Sequence, residues 1–226
     1  MHLMNKRLYL LLAGLILQTN LSWTQEVTPT FAFENGLYLS YEEFVRNEPG
    51  MSWEDVETSL VTNPRTWITQ VEYIRDRESG EAIPMDSLWG LSLDGVPYIR
   101  IASDSIDKPL PAFAGLRITG ALCYFQYERT ESRNIEMAAY NPLTGKPFRR
   151  GEVTRDFVEL REFVLRWEDG TIGPFSRGQL IQWTTRDQMI QQTLRRLRPD
   201  QENLGDQLYN VLLSYNKRHP AFLKDE

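Results

Sequence analysis

Two Asp-Gly pairs, each set between short stretches of alternating apolar residues, constrain the fold of this chain more than any other feature. They are Asp94-Gly95 and Asp169-Gly170. Because both residue types tolerate positive φ, Asp-Gly favours the two-residue turns whose twist matches antiparallel strands. The strands that they connect are predicted at residues 88–93, 96–101, 158–167 and 171–175, with further strands at 67–75 and 116–126. Sequential hairpins of this kind predict an antiparallel β meander, either a curled sheet or a small barrel.

Two strand-to-helix corners flank this β region. In GLYLSYEEFVRNEPG (36–50), Ser40 and Glu43 match a capping box at the start of a short helix over 41–47. In GTIGPFSRGQLIQW (170–183), Ser176 and Gln179 repeat the pattern. The likeness is short, so it indicates either one supersecondary unit used twice or a chance recurrence.

Apolar residues recur at helical spacing near the C-terminus, over residues 186–197 and 204–215, with a break at Pro199 after which Asp200 is placed to cap. The chain is therefore expected to be α+β, with a short helix near the N-terminus and two helices at the C-terminus. The apolar stripe that includes Leu208 and Leu212 either packs against the sheet or forms a partner-binding groove. A membrane-surface helix is disfavoured, since the polar face carries no basic band.

The first residues have the layout of a secretory signal peptide. Lys6 and Arg7 precede an uncharged apolar run over 8–17, and small residues precede a cleavage site between Thr24 and Gln25. A membrane anchor is the alternative, but a spanning helix needs about 20 apolar residues. We therefore expect removal of 1–24, no transmembrane segment afterwards, and export to the periplasm, the cell envelope or the extracellular space.

The remaining chain is predicted to have four further regions. These are a polar N-terminal tail at 25–35, a β-rich domain at 36–177 with a polar insertion at 128–156, a helical segment at 178–218 that packs on the sheet, and a tail at 219–226. A Pro-rich loop over 103–115 also interrupts the strands. The insertion holds a Pro/Gly turn and is expected to form a small hairpin.

Charge and the reactive side chains exclude several classes of function. Residues 25–226 hold 23 basic and 31 acidic side chains, which disfavours nucleic-acid binding. Cys123 has no second cysteine to pair with, and its apolar surroundings favour a buried thiol over a reactive nucleophile. With His219 as the one histidine after the signal segment, near a loose end, the sequence predicts no catalytic triad, metal site or cofactor.

Two sets of side chains are candidates for binding. Lys146, Arg149 and Arg150 form the most basic cluster of the chain, which indicates either a solvated turn or a partner contact. The aromatic candidates either fill the core or line a ligand pocket; they are Trp67, Trp89, Trp167 and Tyr98. Three carboxylate pairs could serve a hydrolase, although each lies at an expected helix start or turn; they are Glu42 with Glu43, Glu54 with Asp55, and Glu78 with Glu81.

Several sequence blocks resemble a family of small, exported, functionally uncharacterised bacterial proteins. They are GLYLSYEEFVRNEP (36–49), LWGLSLDGVPYIRI (88–101), FVLRWEDGTIGPFSRGQLIQW (163–183) and YNVLLSYNKR (209–218). The family pattern has a glycine-rich or apolar patch in the middle of some members, where this chain has the polar 128–156 segment. The resemblance implies export and a β-rich fold, and it implies no activity.

The sequence therefore predicts an exported, non-enzymatic protein of the cell envelope that binds an unknown envelope protein or surface component, or supports a surface assembly. A small-ligand-binding β-barrel is the first alternative and a carboxylate-based hydrolase the second.

Overall fold

The computed structural model describes residues 25–101, 110–140, 142–198, 200 and 202–224, without the side chains at 139 and 147–150. The predicted signal peptide, including Thr24, lies outside the described residues. In the described part of the chain, no helix is both long and apolar enough to span a bilayer.

The described residues form eleven strands and four α-helices. The strands are β1 (Glu26–Val27), β2 (Gly36–Tyr38), β3 (Val56–Asn63), β4 (Ile68–Asp76), β5 (Gly90–Leu93), β6 (Val96–Ile101), β7 (Ala112–Gly115), β8 (Leu122–Tyr140), β9 (Pro147–Arg166), β10 (Ile172–Pro174) and β11 (Ala221–Phe222). The helices are α1 (Tyr41–Arg46), α2 (Arg177–Trp183), α3 (Gln188–Arg196) and α4 (Leu204–Arg218). The α+β class is confirmed, and α2 is a third C-terminal helix beside the two that were predicted.

Six strands form a curled antiparallel sheet in the order β2-β5-β6-β7-β4-β3. Within the described residues its edges, β2 and β3, do not pair with each other, so the curl is that of a half-barrel rather than a closed barrel. The turn between β5 and β6 holds Asp94 at φ 52 and Gly95 at φ 77, as a two-residue hairpin turn requires. The predicted Asp94-Gly95 hairpin is therefore confirmed.

The middle of the chain differs from the prediction. The strand predicted over 116–126 forms only from Leu122 onward, as the start of β8, because β7 ends at Gly115. β7 instead lies within the predicted Pro-rich loop, between β6 and β4. All four of its residues, Ala-Phe-Ala-Gly, are buried, so the strand lacks the polar alternation by which strands are recognised.

Both strand-to-helix corners are capped by serine. Ser40 Oγ accepts from the Glu43 amide at 3.2 Å, while Glu43 Oε2 accepts from the Leu39 amide, one residue earlier than a capping box places it. Ser176 Oγ accepts from the Gln179 amide at 3.2 Å. The cap residue of α4 is Asn203, not the predicted Asp200.

Three apolar clusters lie in layers. The first lies between the six-stranded sheet, α1 and one face of β8 and β9; its centre is Phe44, with Phe33, Trp89 and Trp167 around it. The second lies between the opposite face of these two strands and α2–α4, and the third covers the other face of the sheet. Leu208 and Leu212 are buried in the second cluster, so the apolar stripe of α4 is core rather than an open groove.

The two predicted tails pair with each other. Glu26 is opposite Phe222 and Val27 is opposite Ala221 in a two-stranded antiparallel sheet. Trp167 donates from Nε1 to the Phe222 carbonyl at 2.8 Å. The segments predicted as tails at 25–35 and 219–226 therefore complete the first cluster, because Val27, Phe33 and Ala221 are buried in it.

Candidate functional site

The longest element of the structure is the hairpin of β8 and β9. Its strands pair from Leu122 opposite Arg166 to Tyr140 opposite Pro147. The predicted polar insertion is thus the outer part of two continuous strands, not a separate small hairpin. We call residues 128–160 the arm, and the paired residues before it (122–127 and 161–166) the root.

The root is buried on both faces because its residues alternate between two cores. Leu122 and Tyr124 face the helices in the second cluster, whereas Cys123 and Phe125 face the sheet in the first. Phe163 stacks on Phe125 and on Tyr127, with ring centroids 5.4 Å apart in each pair. The arm is therefore attached to the body by a base that packs against both cores.

Both outer edges of the arm are unpaired in the described part of the chain. β10 pairs with β9 only at residues 163–165, and Ile118 bridges β8 only at Tyr124. An isolated two-stranded ribbon is marginally stable in water, and a free strand edge is a template for another strand. The arm therefore presents backbone donors and acceptors along both sides.

An ion-pair ladder occupies one face of the arm next to the root. Glu131 lies 2.9 Å from Arg133 and 3.0 Å from Arg161, and these two arginines also approach Glu159 at 3.9 and 2.8 Å. Hydrogen bonds from Arg133 and Arg161 lower the pKa of Glu131. Since exposed ion pairs stabilise little individually, the ladder's main consequence is to hold the first half of the arm in one geometry.

Large apolar side chains are exposed along the arm, beside the ladder and beyond it. They are Met137, Tyr140, Leu143, Val153, Phe157, Val158 and Leu160, of which Val158 is 66% exposed. The pairing register places Phe157 and Val153 on the face of the ladder, and Val158 and Leu160 on the opposite face. Seven large apolar residues exposed on one element, on both of its faces, favour an interaction surface on the arm.

The predicted basic cluster lies at the tip of the arm. Lys146 is exposed just before β9, and the backbone of Arg149 and Arg150 pairs with Ala139 and Ala138. The arm has six basic and six acidic residues, whereas the rest of residues 25–226 has 17 basic and 25 acidic. The whole net negative charge therefore belongs to the body, and the arm is neutral.

The four aromatic residues predicted as ligand contacts lie in two separate places. Trp89 and Trp167 flank Phe44, with centroid distances of 4.6 and 5.5 Å. Trp67 and Tyr98 both lie against Gly115, within 3.2 Å of where a Cβ on that glycine would stand. The structure thus uses these side chains for packing and does not bring the four together.

A buried carboxylate that the sequence reasoning missed organises the C-terminal helices. Asp187 caps α3, and its Oδ2 accepts from Arg218 Nε at 2.6 Å and from His219 Nε2 at 2.9 Å. The hydrogen bond from Arg218 is the main reason that the pKa of Asp187 lies below its usual range. His219 is therefore held in place and is not on a loose tail. The sequence signal that could have identified Asp187 is its position as an N-cap residue just before a helix with periodic apolar residues.

His219 also lines a shallow cleft of about 270 Å³, together with Trp183, Tyr215, Arg166 and Arg186. The two arginines are engaged by carboxylates, Arg166 with Asp169 and Arg186 with Glu168. This cleft is smaller than usual ligand pockets, and its charges neutralise one another.

The predicted carboxylate pairs are partly brought together. Glu54, Asp55 and Glu78 line one open cleft with Asp76, whose pKa is lowered by hydrogen bonds from Ser79. A general acid needs a raised pKa, so Asp76 is unsuited to that role. No group of three or more His, Cys, Asp or Glu side chains among the described residues is placed to hold a metal ion.

Comparison of the chain with protein-family models, with curated proteins and with solved structures finds no match.

Proposed function

We propose that this chain is an exported, non-enzymatic protein of the cell envelope that uses the arm to bind a protein partner or to support a surface assembly. The observation that carries this proposal is a change along one hairpin. Its root packs against two cores, and beyond the root neither outer edge is paired with another strand among the described residues. Export is supported by the layout of residues 1–24 and by the sequence resemblance described above.

The arm is well suited to strand addition. Its root fixes the direction of the arm, and the edges of its strands offer main-chain hydrogen bonds to a partner strand. Its exposed apolar side chains supply the contacts that make binding specific for one partner. The three packed clusters of the body do not include the side chains of the outer arm. Exposed apolar residues on open strand edges promote aggregation. Since the arm adds nothing to the packed clusters of the body, a binding function explains why the chain has it.

Recovery of partners from envelope extracts tests the proposal. The bait is the full chain, and the altered bait carries Met137→Ser, Phe157→Ser and Val158→Thr on the arm. A matched control carries Met189→Ser and Leu213→Ser, which change exposed apolar residues of the body. We expect the arm variant to lose the partner and the control to keep it.

Equal recovery by both baits would refute binding through the arm. Fractionation of the cells that produce the protein tests export separately. Uncleaved chain confined to the cytoplasm would refute the envelope assignment.

A further inference from the structure

The body has an unpaired strand edge of its own. β3 is the last strand of the six-stranded sheet and, among the residues that the structure describes, pairs with β4 alone. It is eight residues long, and Val61 on it is 70% exposed. At the opposite edge β2 has only three residues and is bridged by Met51, so it offers no comparable edge.

This edge lies beside the root of the arm. A cleft of about 270 Å³ separates them, with Val61, Asn63 and Ile68 on one side and Tyr127 and Glu128 on the other. Consider two copies of the chain whose arms lie side by side and point in opposite directions. The tip of each arm then lies next to the root of the other copy's arm, and so also beside the β3 edge of that copy.

The lengths allow this arrangement. The thirteen residues of β8 within the arm span about 43 Å at the rise of an extended strand, and β3 spans about 26 Å. An arm is therefore longer than the β3 edge that it would cover on a second copy.

The charges of the two surfaces are complementary. Residues 134–155, the part of the arm beyond the ion-paired Arg133, are the outer arm and hold four basic and two acidic side chains. Residues 54–81, which contain β3 and β4, hold seven acidic and three basic ones. Two anionic bodies repel each other, whereas a basic outer arm placed on the acidic edge of another body is attracted.

We propose that the partner of the arm is a second copy of this chain, in a two-fold dimer in which each arm lies along the β3 edge of the other copy. This inference rests on the proposed function, because it needs the arm to be the binding element. A single chain supplies both surfaces, so the contact repeats symmetrically and closes. The exchange covers the β3 edge and one of the two open edges of each arm.

Mixed cysteine cross-linking tests the geometry. Val61→Cys is placed in an isotopically heavy chain, and Met137→Cys or Val153→Cys in a light chain, so that a heavy–light bond forms only between copies. Native Cys123 does not compete, since it is fully buried and its pKa is raised to about 12. We expect heavy–light dimers with both arm positions and none with Met189→Cys on α3. Equal cross-linking to Met189→Cys would overturn the arrangement.

Sedimentation of the full chain tests the charge complementarity. We expect a dimer that dissociates as salt is added, and a dissociation constant at least about tenfold higher for Lys146→Glu with Arg150→Glu. Adding Glu54→Lys and Glu78→Lys to that variant should restore affinity. Arg195→Glu with Arg196→Glu makes the same charge change on α3 and should leave the dimer unchanged.

The outcomes separate the two proposals. A chain that stays monomeric at about 100 µM, or a dimer indifferent to the arm reversal, overturns self-association. If such a monomer still recovers an envelope partner through its arm, the proposed function is retained and only self-association is refuted. If it recovers no partner, both binding through the arm and self-association are refuted.

Discussion

The ring of Tyr41 lies directly against Gly170, so that a Cβ added to Gly170 would stand 2.8 Å from Cγ and Cδ1 of that ring. Tyr41 is the first residue of α1, and its hydroxyl donates to the Trp167 carbonyl. Gly170 closes the turn between β9 and β10 with φ +74. The two strand-to-helix corners that the sequence repeats are therefore packed on each other.

We expect Gly170→Ala to lower the free energy of unfolding by about 2–4 kcal/mol, because it adds both left-handed backbone strain and a clash with Tyr41. Urea denaturation measures the loss. Gly80→Ala is the matched control, since Gly80 has φ +71 and nothing within 4 Å of the new Cβ. It should cost about 1 kcal/mol. Equal losses would show that Tyr41 packing adds nothing.

Asp187→Asn should lower the free energy of unfolding at neutral pH. It should also reduce the loss of this free energy that the protein shows in acid. Asp187 is ionised in the native state well below its usual pKa, chiefly because Arg218 donates to it. A carboxylate with a lowered native pKa stabilises the fold fully above its unfolded pKa of about 4, and that contribution disappears as the pH falls further. The difference in free energy of unfolding between wild type and variant should therefore become smaller below about pH 4.

Urea unfolding at several pH values measures this gap. Asp86→Asn serves as the control, because Asp86 pairs with Arg100 at the surface and its side chain is 97% exposed. A gap for Asp187→Asn that does not change with pH would refute the ionic role of Asp187.

Cys123 should be unreactive in the native protein. Its thiol is fully buried and donates to the Gly120 carbonyl at 3.3 Å, and burial raises its pKa to about 12. At about pH 8 we expect no labelling by a thiol reagent within minutes, and one thiol per chain after denaturation. Met137→Cys, exposed on the arm, should label at once in the native state. Rapid labelling of the unaltered protein would contradict the packed root.

Glu131→Gln should loosen the arm without weakening the body. It removes the carboxylate that Arg129, Arg133 and Arg161 share. Backbone amides of the outer arm should then exchange with deuterium faster, while the root and the six-stranded sheet keep their protection. Hydrogen-exchange mass spectrometry resolves these regions. Uniform exchange before and after the change would mean that the ladder does not hold the arm.

The sequence predicts those parts of the fold whose cause is local. Asp94-Gly95 specifies its turn through its own φ preference, and Ser40 specifies the start of α1 through its own side chain. β3 was missed because a register shift between Ser59 and Leu60 interrupts the alternation along the strand. The Asp187 network joins residues 31 and 32 positions apart, so its partners are invisible to any local window.

The arm also could not be predicted from local sequence. Its residues 128–156 read as a polar insertion because a ribbon exposed on both faces has no apolar side to recognise. Their length and continuity with the root follow only from the pairing of the two strands. For this reason the sequence indicates the basic tip at Lys146 but not the projecting element that carries it.

The pairing of β1 with β11 has a consequence for how the molecule is made. Residues 26 and 27 are synthesised long before residues 221 and 222, and the indole N–H of Trp167 also waits for the Phe222 carbonyl. Because this sheet joins the first strand of the described chain to the last, it cannot form before the C-terminal segment has been made. A chain that lacks its last residues therefore leaves β1 without its partner strand and Trp167 without its acceptor.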